Sequence, residues 1–408
     1  MNDKSNPVER VVGLDSHPDS FTAALLRGTT PANAVVEKVF NKLCMSQLQD
    51  WAKKNTSEKD LVVLEASGNS FQVARVLIGC GRQAKVLESC HLGKLKEAHA
   101  NNDKISALRI GKAYLAGTAK EVWLPDSKTQ ERRDWLHAYR KATKRTTQVR
   151  ARLRSYLSDN GVRLTKKHSL NHPLVLQEQL LKVREWSKRQ WQVIEVLLLE
   201  LDHANQQRQR WHSLIAQEVM EDPLLLSLVR LCGIREIVAF ALGAFIGDIK
   251  RFAGPKNLVK YVGLNPAFDE SGENTWSGGI GEGRGNEYLR CLLIEAAQAI
   301  LRSQTTLGQW GRKLLARKGE LNLVVAAVAR KLTVAVWYLM MGRWTALEQI
   351  DERLSFKVGK MITAVGKPAL NTLGKAPNAY RQEIYQRLKA GRDYLLDPNK
   401  KYLAATLK

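Results

Sequence analysis

The pattern of apolar and polar positions divides the chain into a strand-rich beginning and a helical remainder. Residues 11–26, VVGLDSHPDSFTAALL, read as a hairpin. One apolar strand ends at Asp15, a turn holds His17, Pro18 and Asp19, and a second apolar strand follows. Val35–Phe40 predicts a third strand. Leu43–Lys54 has helical spacing, with Leu43, Leu48 and Trp51 on one face. Leu61–Leu64 is a short, wholly apolar strand that delivers Glu65. The helix SFQVARVLIGCG follows, closed by glycines, then a strand at Ala84–Leu87 and a helix over Asp103–Ala116. Three strands followed by alternating helix and strand predict an α/β domain with a mixed sheet.

The period then becomes helical. Tyr139, Ala142, Thr146, Val149, Leu153 and Tyr156 step by threes and fours, and Asn160–Gly161 ends that helix. A longer helix is expected from about Leu174 to Glu218. Its seam is Leu176, Leu180, Val183, Ser187, Trp191, Ile194, Leu198 and Leu201. The two read as an antiparallel coiled coil inserted between domains, with Trp186, Trp191 and Trp211 assigned to its core. From Pro223 onward, helix, a glycine turn at Gly233, helix, and a further short helix after Pro255 suggest a helix-hairpin-helix arrangement. Such a unit meets nucleic-acid backbone through turn amides. Helices over 286–303 and 321–341 close this part. The tail from Leu347 to Lys408, with Pro368, Pro377 and Pro398, reads as a short basic appendage.

Composition changes this picture in one respect. The 408 residues carry 64 Lys+Arg against 40 Asp+Glu, a net charge of +24, which predicts a polyanionic partner, nucleic acid first. Residues 128–167 alone hold 13 basic against 3 acidic side chains. Cys44, Cys80, Cys90, Cys232 and Cys291 are scattered and form no C-x-x-C pair. Neither a zinc site nor a disulfide framework is indicated, and a reducing cytoplasm is expected. The apolar run 237–247 is too short to span a bilayer, and no membrane partner is expected.

Two places carry candidate chemistry. Asp15 and Glu65 end strands that would bring them together if those strands are neighbours, and Asp103 opens a helix aimed at the same edge. Carboxylates gathered so suit magnesium or manganese and phosphoryl chemistry. The same acids also suit turn and capping roles. The second place is Gly263–Arg290. Seven glycines fall between Gly263 and Gly285, five of them from Gly278 onward, so neither helix nor central strand is expected there. Ser271, Ser277, Arg284, Arg290, the loop amides at Gly283 and Gly285, and a helix starting near Asn286 make a reasonable phosphate site.

The order G-L-D at 13–15, L-E-A-S-G at 64–68 and N-D-K-I-S-A at 102–107 resembles the DEDD, RuvC-like domain of one group of transposases. The stretch 231–290, with CGI, IGDIKRF, GLNP, SG, GGI, GRGN and YLR in order, resembles that group's C-terminal transposase domain. This is the insertion sequence 110/1111 family of bridge-RNA-guided recombinases, and the resemblance covers roughly 11–345. It implies an RNase-H-like (RuvC-like) mixed-sheet domain at 1–126, a coiled-coil assembly region at 127–220, and a helical serine transposase domain at 221–345. A basic tail at 346–408 lies outside it. It implies that Asp15, Glu65 and Asp103 hold Mg2+ (or Mn2+), and that Ser271 is the nucleophile, with Ser277 as the substitute candidate. It also implies element-end and target DNA as substrates, a guide RNA, a homodimer or homotetramer, and a bacterial cytoplasm. One departure is plain: Ser106 stands where the fourth acid is expected. A hydroxyl is the poorer ligand, so the site holds fewer or weaker metals, or Asn102 or His99 assists, or activity is impaired. Rival readings are a metal-dependent nuclease of the Holliday-junction type, a catalytically dead nucleic-acid binder, and a basic RNA scaffold.

Overall fold

In the computed structural model the described residues are 9–89, 102–165, 170–271, 274–281, 285–343 and 353–395, excluding the side chains of 267–277 and 390–395. The chain forms two compact units, Met1–Asp126 and Ser127–Lys408.

The first unit is built on a mixed sheet. Its elements are β1 (Arg10–Ser16), β2 (Ser20–Arg27), β3 (Val35–Cys44), α1 (Leu48–Asn55), β4 (Asp60–Glu65), α2 (Ser70–Gly79), β5 (Gln83–Leu87), α3 (Asp103–Leu115) and β6 (Glu121–Val122). The strand order is β3-β2-β1-β4-β5-β6. The β1–β4 and β4–β5 pairs are parallel and the others antiparallel. Both faces of the sheet are covered, which is why Val11–Leu14 of β1 and Leu61–Leu64 of β4 carry no polar side chain. Val12, Leu14, Val62 and Leu64 pack with Leu48, Trp51, Val73 and Leu77 of α1 and α2. Val11, Leu61 and Val63 pack with Ile110 and Ala113 of α3. Each buried Val or Leu contributes about 1.5–3 kcal/mol, and a slip of one residue would exchange the two sets, so the register is strongly specified. The outer strand β3 is largely exposed. Its Glu37 pairs with Arg10 and Arg27, which places charge on an open edge.

α3 approaches β1 unusually closely because two glycines face each other. A Cβ added at Gly13 would lie 2.0 Å from the Ala107 carbonyl oxygen, and one at Gly111 would lie 2.2 Å from Leu26 Cδ1. This crossing fixes the height at which the start of α3 meets the end of β1.

The second unit is helical apart from one hairpin. Its helices are α4 (Ser127–Asp159), α5 (Pro173–Val183), α6 (Lys188–Glu221), α7 (Pro223–Leu228), α8 (Glu236–Ile246) and α9 (Pro255–Val262). The hairpin β7 (Pro266–Ser271) and β8 (Asn274–Ile280) follows. Then come α10 (Glu287–Leu301), α11 (Thr306–Lys318), α12 (Leu321–Met340), α13 (Leu354–Val365), α14 (Lys367–Thr372) and α15 (Pro377–Leu395). α4 and α6 form the long pair. Val149, Leu153, Leu157, Leu176, Leu180, Ile194, Leu198 and Leu201 make a small core at one end of it. At the other end Leu136, Ile215, Val219 and Met220 enter the main core with α8, α10 and α12.

Three expectations change here, and one apolar stretch adds to the picture. The single helix expected from Leu174 to Glu218 is two helices, because Ser187 starts a new one. The Ser187 hydroxyl accepts from Gln190 N (3.3 Å) and Gln190 Oε1 accepts from Ser187 N (3.1 Å), a reciprocal cap that outcompetes continuation. The glycine run is partly strand: Gly278 and Gly279 lie in β8. A two-stranded hairpin has no central strand for them to weaken. α12 is long and apolar enough to cross a membrane, unlike the run 237–247. Its Val324, Val328, Leu332 and Val336 are buried in the core. Finally, the tail is no appendage. Leu354, Val358, Met361, Tyr380, Ile384 and Leu388 are buried in the main core. Lys357 Nζ donates to the carbonyls of Val229 (2.8 Å) and Leu231 (2.7 Å), and Arg230 donates to those of Arg387 and Leu388. Lysines and arginines that look solvated in the sequence are here satisfied by backbone carbonyls.

Candidate active site

The last β1–β4 register pair is Leu14 with Leu64, so Asp15 and Glu65 occupy the next position on two adjacent parallel strands. Alternation puts both on the face that α3 covers, the face of Val11 and Val63. α3 begins at Asn102, whose Oδ1 accepts from Ile105 N at 2.9 Å. That cap sets Asp103 in the first turn and engages the Asn102 side chain that the sequence offered as a helper. His99 lies outside the described residues.

The turn after β1 is pinned on both sides. His17 N donates to Ser20 O at 2.8 Å. The side chain of Asn69, which precedes α2, accepts from Ser16 Oγ (3.1 Å) and donates to His17 O (2.8 Å). This brings His17 to the acids: its Nε2 is 3.9 Å from Asp15 Oδ2 and 3.7 Å from Asp103 Oδ1. One ligand atom each from Asp15, His17 and Asp103 lies within 4.8 Å of the other two. Ions held at about 2.1–2.4 Å require ligand atoms no farther apart than about 4.8 Å, so these donors fit a small divalent cation. Glu65 is half-buried at the neighbouring strand end and stands outside that trio. His17 read in sequence only as a turn residue. Its position two residues past a strand-end acid was the available signal.

Ser106, one turn into α3, is buried. Its hydroxyl hydrogen-bonds the Asp15 carboxylate and accepts from Arg109 Nη2 at 3.3 Å. Burial pushes the Asp15 carboxyl up and the charge of Asp103 adds to that. The charges of His17 and Arg109 and the Ser106 bond oppose it, and the net direction is upward. The residue at the expected fourth-acid position thus braces Asp15 rather than adding charge, and Arg109 brings a compensating cation that sequence reading missed.

The second candidate region sits on the other unit. Gly263 ends α9 in the left-handed conformation (φ 81°), and β7 and β8 then pair from Pro266–Ile280 to Ser271–Asn274. Ser271 is therefore the last paired residue before the hairpin tip, and Ser277 lies opposite Phe268. Gly283 and Arg284 fall outside the described residues. Gly285 has φ 74°, and a Cβ there would lie 2.5 Å from Gly263 N, so the returning chain crosses directly over the end of α9. Asn286 N donates to Tyr261 O (2.8 Å), and Asn286 Oδ1 accepts from Leu289 N (3.0 Å) to start α10. Arg290 donates to Val262 O at 3.3 Å and lies against Gly281, so it ties the base of the hairpin. Beside it a cavity of about 580 Å3 is lined by Arg251, Phe252, Asn257, Lys260, Tyr261, Gly285 and Asn286; the Lys260 and Asn257 side chains are its groups suited to phosphate.

Residues 227–310, which contain α8, α9, the hairpin and α10, match the model of the family described as Transposase IS116/IS110/IS902 family. The chain is similar to "Transposase for insertion sequence element IS1111A" of Coxiella burnetii, with 26% identity over 290 residues, 68% of this chain and 77% of the relative. It is also similar to "Putative transposase y4qE" of Sinorhizobium fredii, with 23% identity over 310 residues, 67% of this chain and 73% of the relative. The family model and both relatives are thus transposases by their descriptions, and the chain is similar to them.

Proposed function

We propose that this protein is a DNA recombinase that moves an insertion sequence by cutting and rejoining DNA through a phosphoserine link. The observation that carries the reading is the convergence of Asp15, His17 and Asp103 at the end of β1, beside Glu65. The strand order β3-β2-β1-β4-β5, with β1, β4 and β5 parallel, agrees with an RNase-H-like arrangement of that edge. The succession α7, the turn at Gly233, α8 and the short α9 agrees with a helix-hairpin-helix element.

Asp15 and Asp103 would hold Mg2+ or Mn2+, with His17 taking a nitrogen position and Glu65 approaching from the next strand. When bound, such an ion supplies Lewis-acid polarisation of phosphoryl oxygens. Ser106 and Arg109 keep the Asp15 carboxylate oriented toward that position. Ser271 Oγ forms the new bond to phosphorus as the phosphorus–oxygen bond to one DNA end breaks and its proton is lost. One end is left with a free hydroxyl and the other on the serine. Attack of a DNA hydroxyl on that phosphoserine reverses the step, so rejoining needs no external energy source. Arg284 and the amides around Gly283 and Gly285 stabilise charge on the phosphate. The acids and the serine belong to different units, and the reading includes assembly of the two from different protomers of a homodimer or homotetramer. Target choice by a guide RNA rests on the family resemblance.

The test is cleavage of element-end DNA by purified protein with the adjacent non-coding RNA and Mg2+, stopped with denaturant. A covalent adduct mapped to Ser271, absent in Ser271→Ala and Asp15→Ala, is expected. Free cut ends still produced by Ser271→Ala would leave only a metal-dependent nuclease. Tight binding without cleavage would point to the dead binder that Ser106 suggested.

A further inference from the structure

On the α4–α6 pair, several basic side chains have acidic partners. Arg132 pairs with Glu218 and Asp222, and Arg145 and Arg152 with Glu200. Arg150 departs from this pattern. Its guanidinium donates to Asn171 Oδ1 and to Asn205 Oδ1 (3.1 Å), both neutral acceptors. Asn205 is itself fixed, donating from Nδ2 to Leu170 O at 3.0 Å, so its oxygen is held facing the arginine. The charges that act on Arg150 are those of Arg208 and Arg154, of its own sign. Burial first, and these like charges after it, hold the guanidinium below its usual range. Among the described residues, the Nε atoms of Arg150 and Arg208 are buried and without a hydrogen-bond partner. Arg154 stands one helical turn from Arg150 on α4 and Arg208 one turn from Asn205 on α6, so the three guanidinium groups share one stretch of the pair; among the described residues none of them has a carboxylate partner, an arrangement relieved by an anion.

We propose that Arg150, Arg154 and Arg208 form a clamp for a backbone phosphate of nucleic acid on the shaft of the α4–α6 pair. Guanidinium forks match phosphate oxygens two at a time, which lysines would not do. A polymer rather than a free anion fits because two of the three arginines, Arg150 and Arg154, lie in the stretch 128–167, where basic residues outnumber acidic ones 13 to 3. The clamp lies by the small core of the pair, formed around Val149 and Leu153, whereas Leu264 and Ile280 at the base of the hairpin pack on the main core. It deepens the nucleic-acid reading of the preceding section without depending on serine chemistry.

The experiment is fluorescence anisotropy with full-length protein between 50 and 200 mM KCl (roughly the range over which phosphate contacts are titrated by salt). Element-end DNA duplex and the adjacent non-coding RNA serve as separate probes. Arg150→Gln with Arg208→Gln is compared with wild type and with Arg152→Gln, which removes an arginine already paired with Glu200. Binding to one of the two probes is expected to weaken at least about ten-fold in the double variant, with the log–log salt slope smaller by about 1–2. The probe that responds identifies which polymer the clamp holds. Arg152→Gln is expected to change binding less than about three-fold. The double variant should melt no lower than wild type, because it removes repulsion. Unchanged affinity and slope for both probes would overturn the clamp, as would a large fall in melting temperature with an unchanged slope. An absent Ser271 adduct would leave this result standing, and a failed clamp would leave the adduct standing.

Discussion

The sheet edge that carries Asp15 and the hairpin that carries Ser271 are built by opposite means. At the edge, β1 is flanked by β2 and β4, and the residues just before the acids, Leu14 and Leu64, are fully buried. The donors arrive there from a strand end, a pinned turn and a capped helix, three elements with separate anchors. In the hairpin, β7 and β8 pair only with each other, and the described anchors lie at its base: Gly285 against Gly263, Asn286 on Tyr261, and Arg290 on Val262. A cation site needs atoms fixed in relation to one another, and a packed sheet provides that. The proposed nucleophile, which must meet a separate polymer, suits a strand pair with a fixed base.

The largest effect should come from Gly13. Gly13→Val places carbon where the Ala107 carbonyl stands, forcing α3 off β1 and separating Asp103 from Asp15. A destabilisation of about 3 kcal/mol is expected, with loss of metal-dependent cleavage; calorimetry and the cleavage reaction check it. Next is the platform under the hairpin. Glu236 starts α8, buried, with His212 Nε2 at 3.0 Å and Arg235 beside it. Burial pushes its carboxyl up, but the His212 bond and the Arg235 charge outweigh that and hold it below the usual range. A carboxyl depressed in the folded state stabilises above its unfolded pKa, and that contribution is lost as pH falls through the folded one. Glu236→Gln should therefore cost about 2–3 kcal/mol near neutral pH and flatten the acid limb of the stability curve; urea melts from neutrality down to about pH 3 would show it.

Gly285→Ala sharpens the contrast from the other side. A left-handed residue crowded against Gly263 should cost about 1–2 kcal/mol, lower cleavage, and leave the cation affinity of the sheet edge unchanged by isothermal titration. The smallest expected effect is that of Ser106→Asp. A third carboxylate against Asp15 and Asp103 should lower the melting temperature without metal, and millimolar Mg2+ should restore it more than in wild type. An equal response to Mg2+ in both proteins would mean that position 106 does not face the ion.

Much of this was readable in advance where local pattern decides structure. Leu61–Leu64 had to be a strand buried on both faces, and Asp103 had to open a helix. The neighbourhood of β1 and β4 was not local information, so Asp15 and Glu65 stood only as a conditional pair. His17 was missed because its second partner, Asp103, lies far along the chain and is brought to it by the Gly13–Gly111 crossing. The capping box at Ser187 and Gln190 was legible as a motif but hidden inside a convincing apolar seam. The tail misled because its buried positions, Val358, Met361, Ile384 and Leu388, are set among lysines and arginines whose carbonyl partners lie in other helices.

That tail has a consequence for how the protein is made. Arg230 reaches the carbonyls of Arg387 and Leu388, and Lys357 reaches those of Val229 and Leu231. The core beneath the hairpin thus closes only after nearly all of the chain has emerged from the ribosome. The sheet of the first unit has all its strands in hand long before. A product cut short by a frameshift or a premature stop would carry a finished acid cluster and an unfinished hairpin platform, so truncation would remove the support of the proposed nucleophile before it touched the carboxylates.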